Sequence, residues 1–307
     1  MKSGKKVVFF TEPKWAFGSI HSSLCKILYP EINGEVLNFF DEYTWEEMKD
    51  IDANTDLWVT NWPWHLISKY GISPRKIAFI AHARWDLHTT LRDMPQNIRL
   101  DLNRISVISQ DLSDYYHTQS MAFGCYPRVT RLGIHYDRFA EIGKKCPVTR
   151  IQNIGIMGAY ESYNFFGEEI KRGRLVEETI RELNLESEFK FNLIRYPKGH
   201  YMSSPNRYAG LDCVVMASTE EGGGLPMIEG AAAGRLCMGT CVGYHYYGGG
   251  IALPTKEKDF KTCMKEQLKS LNRSPNVIQY WIDCGSKEAQ AFDWSNRRKE
   301  WMDFLLP

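Results

Sequence analysis

The sequence predicts an α/β protein of two Rossmann-like domains, on three observations. At 307 residues the chain exceeds what a single core usually organises and suits two domains of ordinary size. Short apolar runs recur along it, each followed by a polar or glycine-bearing loop and then by helical spacing, the unit from which parallel sheets are built. The clearest unit is 211–240: the apolar run Leu211 to Ala217 stops at Ser218-Thr219, three glycines follow, Pro226 opens a short helix, and a second strand ends at Gly239-Thr240.

Composition narrows the class. Hydrophobic and charged residues make up 43% and 24% of the chain, which excludes a disordered or fibrous protein. The formal net charge of +1 lacks the basic excess of a nucleic-acid binder, although a local basic face can hide in a neutral total. The first apolar run, Val7 to Phe10, is too short for a signal-peptide core and no later stretch approaches a membrane span, so a cytoplasmic location is expected. The 8 cysteines are scattered, with no Cys-x2-Cys pair and no His at zinc spacing, and read as reduced thiols.

In the first half, Lys6 to Thr11 is a strand and Ile20 to Leu28 has helical spacing, with Gly18 and Ser19 in the loop between. Leu57 to Thr60 is the next clear strand. Asn61-Trp62-Pro63-Trp64-His65 after it continues neither strand nor helix, because proline breaks both; it reads as a packed loop or as an aromatic platform for a sugar, a base or a lipid face. Lys76 to Ala81 is a strand that delivers His82, Arg84 and Asp86, the last two readable as a plain ion pair. Ile105 to Ser109 is a strand with a helical start at Gln110, and Val129 to Leu132 precedes Gly133. The polar, proline-containing stretch Glu141 to Arg150 marks a boundary, so the first domain spans 1–145.

The second domain, 146–285, opens with a strand from Ile151 to Met157. Lys171, Arg172 and Arg174 crowd the start of the helical run Leu175 to Leu183. Cations there oppose the helix dipole, which favours a functional role over a solvated helix start. Phe189 to Ile194 is a strand, Arg195 to Gly199 a polar loop and Pro205 to Ala209 a short helix, leading to the strand at Leu211. Gly222, Gly223 and Gly224 let backbone approach a ligand, and the helix after them points free N–H groups at the turn, which attracts anions and sugar hydroxyls. Glu221 before the glycines and Glu229 eight positions on are acceptors suited to sugar hydroxyls; the plain alternative is an ordinary turn with acidic residues at a helix end. Residues 286–307 form a separate terminal helix.

Glu221 to Glu229, with Ala-Ala-Gly at 232–234, a strand and Gly239-Thr240, resembles the E-x7-E donor-site signature of retaining GT-B glycosyltransferases, glycosyltransferase family 4 in particular. Residues 133–139 resemble the passage closing that family's first domain, with His135 in place of an Asp, and Phe292-Asp293-Trp294 resembles the start of its final helix. The resemblance implies two domains facing across a cleft, a C-terminal helix crossing back to the first, and metal-independent sugar transfer from a nucleotide diphosphate sugar, such as a UDP-sugar, with no cofactor. Glu229 then holds the ribose, Glu221 contacts the transferred sugar, and the turn at Gly222, Gly223, Gly224 and Leu225 holds sugar and phosphates. His82 orients the sugar or the acceptor hydroxyl, and Gly18 and Ser19 lie near the reacting phosphate.

One departure stands out. Ala159 replaces the Arg that the family uses on the diphosphate, which leaves Lys171, Arg172, Arg195 and Lys198 as candidates for that charge, Arg172 first. Trp62, Trp64, Arg84 and Asp86 are the acceptor-side candidates. The acceptor implied is an envelope glycan or a lipid-linked sugar, with peripheral membrane contact open. A hydroxymethylated base in phage-type DNA is a second acceptor class, motivated by the mildly basic stretch Arg75 to Arg104. A nucleotide-sugar epimerase and a catalytically dead sugar-nucleotide binder are the alternatives.

Overall fold

Parallel strands form two separate sheets in the computed structural model, which describes residues 4–12, 16–84, 86, 90, 100–119, 127–157, 159–164, 166–196, 204–247 and 249–306. The chain divides into one unit of Met1–Gly133 with Trp294–Pro307 and a second of Ile134–Asp293.

The first unit holds β1 (Lys5–Thr11), α1 (Ala16–Ile27), β2 (Ile32–Asn38), α2 (Trp45–Ala53), β3 (Leu57–Thr60), α3 (Pro63–Tyr70), β4 (Ile77–Ala81), β5 (Ile105–Val107), α4 (Gln110–Gln119) and β6 (Arg128–Val129). Its sheet runs β2-β1-β3-β4-β5-β6, all parallel. Val7, Val8, Phe9 and Phe10 are all buried although they alternate faces, because helices cover both sides of a parallel sheet. β2, the edge strand, is only partly buried and reads Ile-Asn-Gly-Glu-Val-Leu-Asn; an edge needs no apolar run, so the sequence shows no strand there. α2 starts at a capping box, with the Glu47 N–H donating to Thr44 Oγ1 at 3.1 Å and the Thr44 N–H to Glu47 Oε2 at 2.8 Å.

Two sequence expectations change in this unit. Gly18 and Ser19 lie in the first turn of α1 and not in a loop. Pro63 begins α3, carrying Trp64 into that helix; proline breaks helix interiors, but at the first position its missing N–H has no intrahelical partner to lose.

The second unit holds α5 (Tyr136–Lys145), β7 (Asn153–Ile156), α6 (Gly173–Glu186), β8 (Asn192–Arg195), β9 (Cys213–Met216), α7 (Leu225–Ala232), β10 (Leu236–Thr240), β11 (Ile251–Leu253), α8 (Glu257–Arg273) and α9 (Pro275–Gln290). The parallel order β11-β10-β9-β7-β8 reverses direction between β7 and β9. Ile154, Val215, Met238, Phe260, Met264 and Ile278 are among its core residues.

Arg235 joins α5 to this unit. Its guanidinium is buried and donates to the carbonyls of Ala233, Leu211, Ile142 and Cys146 at 3.0, 2.8, 3.3 and 2.8 Å. The units therefore divide at 133/134 and 293/294, where the sequence reading placed 145/146 and 285/286. The last helix, α10 (Trp294–Leu305), returns to the first unit: Trp301 is fully buried and donates to the Arg131 carbonyl at 2.9 Å, and Arg298 Nε donates to the Ile27 carbonyl at 2.8 Å. Among the described residues no helix is long and apolar enough to cross a membrane.

Candidate functional site

Ligands of open parallel sheets bind outside the carboxyl ends of the strands where the order reverses. In the second unit that point lies between β7 and β9, and the residues that follow those strands meet there. Lys171 and Arg172 come from the loop after β7, and Glu221 comes from the turn after β9. Lys171 Nζ pairs with Glu221 Oε1, which also accepts from Ser218 Oγ at 2.8 Å. The turn itself is anchored: the Thr219 N–H donates to the Ile170 carbonyl at 2.9 Å, the Tyr244 N–H to the Gly223 carbonyl at 2.8 Å, and Thr240 Oγ1 to the Ser218 carbonyl.

Of the three glycines, only Gly224 takes a positive φ, 66°, and it caps α7. Gly243 approaches so closely that a Cβ there would stand 2.9 Å from the Gly223 carbonyl oxygen. Leu225 is the first residue of α7 and Pro226 the second.

Arg172 is the one non-glycine residue with positive φ, 50°, among the described residues. Such a conformation costs on the order of 1–3 kcal/mol and persists where surroundings impose it. Here they do: Nε donates to the Ala217 carbonyl and Nη1 to the Thr255 carbonyl, both at 2.6 Å. Nη2 is left buried without a partner, as is Glu169 Oε1. Burial lowers the Arg172 pKa, with Glu257 and Glu169 opposing; the group stays charged, as guanidinium does in proteins.

Glu229 sits inside α7, 8% exposed, and its Oε2 accepts from the Tyr208 hydroxyl at 2.7 Å. Burial pushes its pKa up to about 7, against the opposing pull of Tyr208 and Arg207. Tyr208 was not among the sequence candidates; a tyrosine nine residues before an expected strand end carries no local signature.

Among the candidate substitutes for the missing Arg, Arg195 ends β8 paired with Glu177 and lies 4.1 Å over the Tyr160 ring. It is already committed there. Ala159 offers only its methyl group, and Lys198 lies outside the described residues. An open groove of about 430 Å³ runs beside this pair, lined by Tyr160, Glu161, Arg174, Glu177, Glu178, Arg181 and Arg195. Its carboxylates match its guanidiniums in number, so it is a poorer anion site than the strand ends.

In the first unit the order reverses between β1 and β3. Trp62 follows β3, held by its N–H to Thr60 Oγ1 at 3.0 Å, and stands edge-on to Phe39 at 4.7 Å. Phe39 touches Phe40 at 3.9 Å, and Phe40 is 61% exposed. The aromatic surface is thus Phe39, Phe40 and Trp62, of which the sequence reading named one; Trp64 is half-buried in α3.

His82 follows β4, buried, with its ring 5.9 Å from that of His21 on α1. Burial, the larger cause, and His21 both hold the His82 pKa well below the ordinary value, and burial alone takes His21 to about 3. Both rings are neutral. His21 escaped the sequence reading, although a histidine within the Ile20, Leu24, Leu28 stripe was a signal for it.

Asp86 is 1% exposed and accepts the N–H groups of His82 and Ala83 at 2.6 and 2.9 Å. It closes the turn after β4, and burial raises its pKa to about 7 despite those bonds. Arg84 lies 3.6 Å from Asp111 and 4.6 Å over the Tyr115 ring, which is the plain ion-pair outcome with a different aspartate. Lys76 and Arg104 likewise meet Asp52 and Asp101, at 3.2 and 3.8 Å. Of the other cations of the basic stretch, Arg75 is exposed, and Arg92 and Arg99 lie outside the described residues, as does Asp93.

No protein-family model and no curated protein matches the chain. Solved structures do. Sucrose-phosphate synthase from Thermosynechococcus elongatus matches with a TM-score of 0.63 at 12% identity over 97% of both chains. HepE of Anabaena in complex with UDP and glucose matches at 0.61 and 11% identity, covering 97% of this chain and 98% of that one. The fold is GT-B. The pneumococcal O-GlcNAc transferase GtfA in complex with UDP and GlcNAc matches at 0.63 and 15% identity, over 85% of this chain and 58% of its own. At these identities the likeness shows the GT-B fold alone. Among the described residues no group of three or more His, Cys, Asp or Glu side chains is arranged to hold a metal ion.

Proposed function

We propose that this chain is a glycosyltransferase that moves a sugar from a UDP-sugar to an acceptor hydroxyl, with retained anomeric configuration and without a metal. The observation that carries the reading is Arg172: a guanidinium clamped by two carbonyls, with Nη2 buried and unpartnered, at the reversal point of a nucleotide-binding type of sheet. A phosphoryl oxygen is the natural partner for that N–H. The GT-B neighbours HepE and GtfA, crystallised with UDP, support uridine diphosphate as the nucleotide to test first.

Transfer breaks the bond between the sugar C1 and the diphosphate oxygen, which keeps the electron pair, and forms a bond from C1 to the acceptor oxygen, whose proton passes to the departing diphosphate. Charge builds on the diphosphate, and Arg172, Lys171 and the free N–H groups opening α7 are the groups that stabilise it. Glu221, already shared between Lys171 and Ser218, takes sugar hydroxyls at the same place. Glu229 takes the ribose hydroxyls, with Tyr208 fixing its carboxyl.

UDP should raise the melting temperature, and UDP release from one UDP-sugar should depend on acceptor. Arg172→Ala should weaken UDP about 10- to 100-fold and leave uridine binding unchanged, since the nucleoside has no phosphate. Equal UDP affinity in the variant would remove Arg172 from the site, and no response to any nucleotide sugar would sink the whole reading. Proton NMR of the product anomer tests retention, and activity in excess EDTA tests metal independence.

A further inference from the structure

Between β7 and α6 the chain makes an excursion, and the described residues 162–164 and 166–170 form a small hairpin arm. Tyr163 and Glu169 are joined by an antiparallel bridge, and Gly167, at φ 80°, donates its N–H to the Asn164 carbonyl at 3.0 Å. The Asn164 side chain stiffens the tip: Oδ1 accepts the N–H groups of Phe166 and Glu168, both at 3.0 Å, and the amide donates to Glu168 Oε2 at 2.9 Å and Glu220 Oε1 at 3.2 Å. That last bond fastens the arm to the residue beside Glu221. At the root, Lys171 pairs with Glu221 itself. The arm presents Phe166 and Tyr163 at 75% and 59% exposure. Aromatic side chains offer a large apolar face, which favours recognition.

We propose that the arm binds the acceptor and that the acceptor is a neutral glycan. The inference rests on the glycosyltransferase reading above. Phe166 and Tyr163 offer faces for sugar rings, and the buried, unpartnered Glu169 Oε1 is an acceptor for a sugar hydroxyl. Charge decides against polyanions. Glu161, Glu168, Glu169 and Glu220 lie along or against the arm; of the cations at its root, Arg174 pairs with Glu161 at 2.6 Å and Lys171 with Glu221, and Arg172 is the one assigned above to the donor diphosphate. A phosphate backbone needs free Lys and Arg and would meet repulsion here.

The test compares wild type with the exposed-site variants Phe166→Ala, Tyr163→Ala and the double variant, by UDP thermal shift and by binding to an array of neutral oligosaccharides and to hydroxymethylated duplex DNA. The expected result is an equal UDP shift in all four proteins, a neutral glycan bound by wild type, and at least about tenfold weaker glycan binding by the double variant. Unchanged glycan binding in the double variant, no glycan bound by wild type, or binding to DNA alone overturns the proposal. A wild type that ignores UDP but binds glycan through the arm would remove the donor reading and overturn the acceptor role, leaving the arm a glycan-binding site.

Discussion

Glu229 is the residue whose chemistry is set most clearly by where it lies. Its carboxyl is buried, bonded to Tyr208 and shifted up to about 7, so near neutrality it divides between acid and carboxylate. Ribose hydroxyls donate best to the carboxylate, so UDP binding should release a proton. Below pH 7 each unit of pH then costs about a factor of ten in affinity. UDP titrations should tighten about tenfold between pH 6 and 8, and Glu229→Gln should abolish the trend. A pH-independent wild type would show that this carboxyl is not at the ribose. At this scale the sequence was partly legible. Spacing made Glu221 and Glu229 candidates and a run of cations at a helix start made Arg172 one, but nothing local says that Lys171 and Ser218 share one oxygen of Glu221, or that Asp86 turns inward to close a backbone turn. Those outcomes depend on burial and on partners that the chain brings in from elsewhere.

At the scale of elements, the junction of α5 with α7 and β10 rests on Arg235. Four carbonyls, including those of Ile142 and Cys146 at the end of α5, receive its N–H groups. No carboxylate faces it within ion-pair distance among the described residues, so its burial is compensated by these dipoles. Arg235→Met should destabilise the second unit by about 3 kcal/mol, because it leaves buried carbonyls without donors. A shift of the denaturant midpoint well under 1 kcal/mol would mean that water replaces the guanidinium. The sequence reading ended the first domain after α5 because residues 141–150 are polar and contain proline, which describes a surface-facing helix end as well as a linker. β2 was missed for a related reason: an edge strand of a parallel sheet, half open to water, need not alternate or be apolar.

For the whole molecule, the buried titratable groups give the two units different acid responses. In the first unit burial takes His21 to about 3 and, with His21 beside it, holds His82 well below the ordinary value, so between those folded values and the ordinary histidine value both are neutral when folded and protonated when unfolded. The unfolded chain binds more protons there, so this contribution to stability is lost as pH falls. Asp86, shifted from 3.8 to about 7, works oppositely, since the folded state keeps a proton that the unfolded chain releases. Two histidines outweigh one aspartate, and the first unit should lose stability from pH 6.5 to 4.5. In the second unit Glu229 stabilises as pH falls from about 7 towards 4.5, and His245, lowered chiefly by burial, offsets it. That unit should respond more weakly. Calorimetry at pH 4.5 and 6.5 should resolve this, with His21→Phe reducing the acid loss of the first unit alone; equal responses of both units would contradict the buried neutral state of the histidine pair.

The α/β class, the strand-turn-helix around Glu221 and the helical C-terminus were determined by the sequence itself, because apolar period, glycine turns and proline at helix starts act within a few residues of one another. Which cation remains available was decided only by tertiary structure. Lys171 meets a glutamate from the turn after β9, Arg195 is taken by Glu177, and Arg172 is clamped by Ala217 and Thr255 with one N–H to spare. These partners lie far apart in sequence or across an element boundary. Charge pairing and burial depend on distance in space, which the parallel crossovers set and no short stretch of sequence contains.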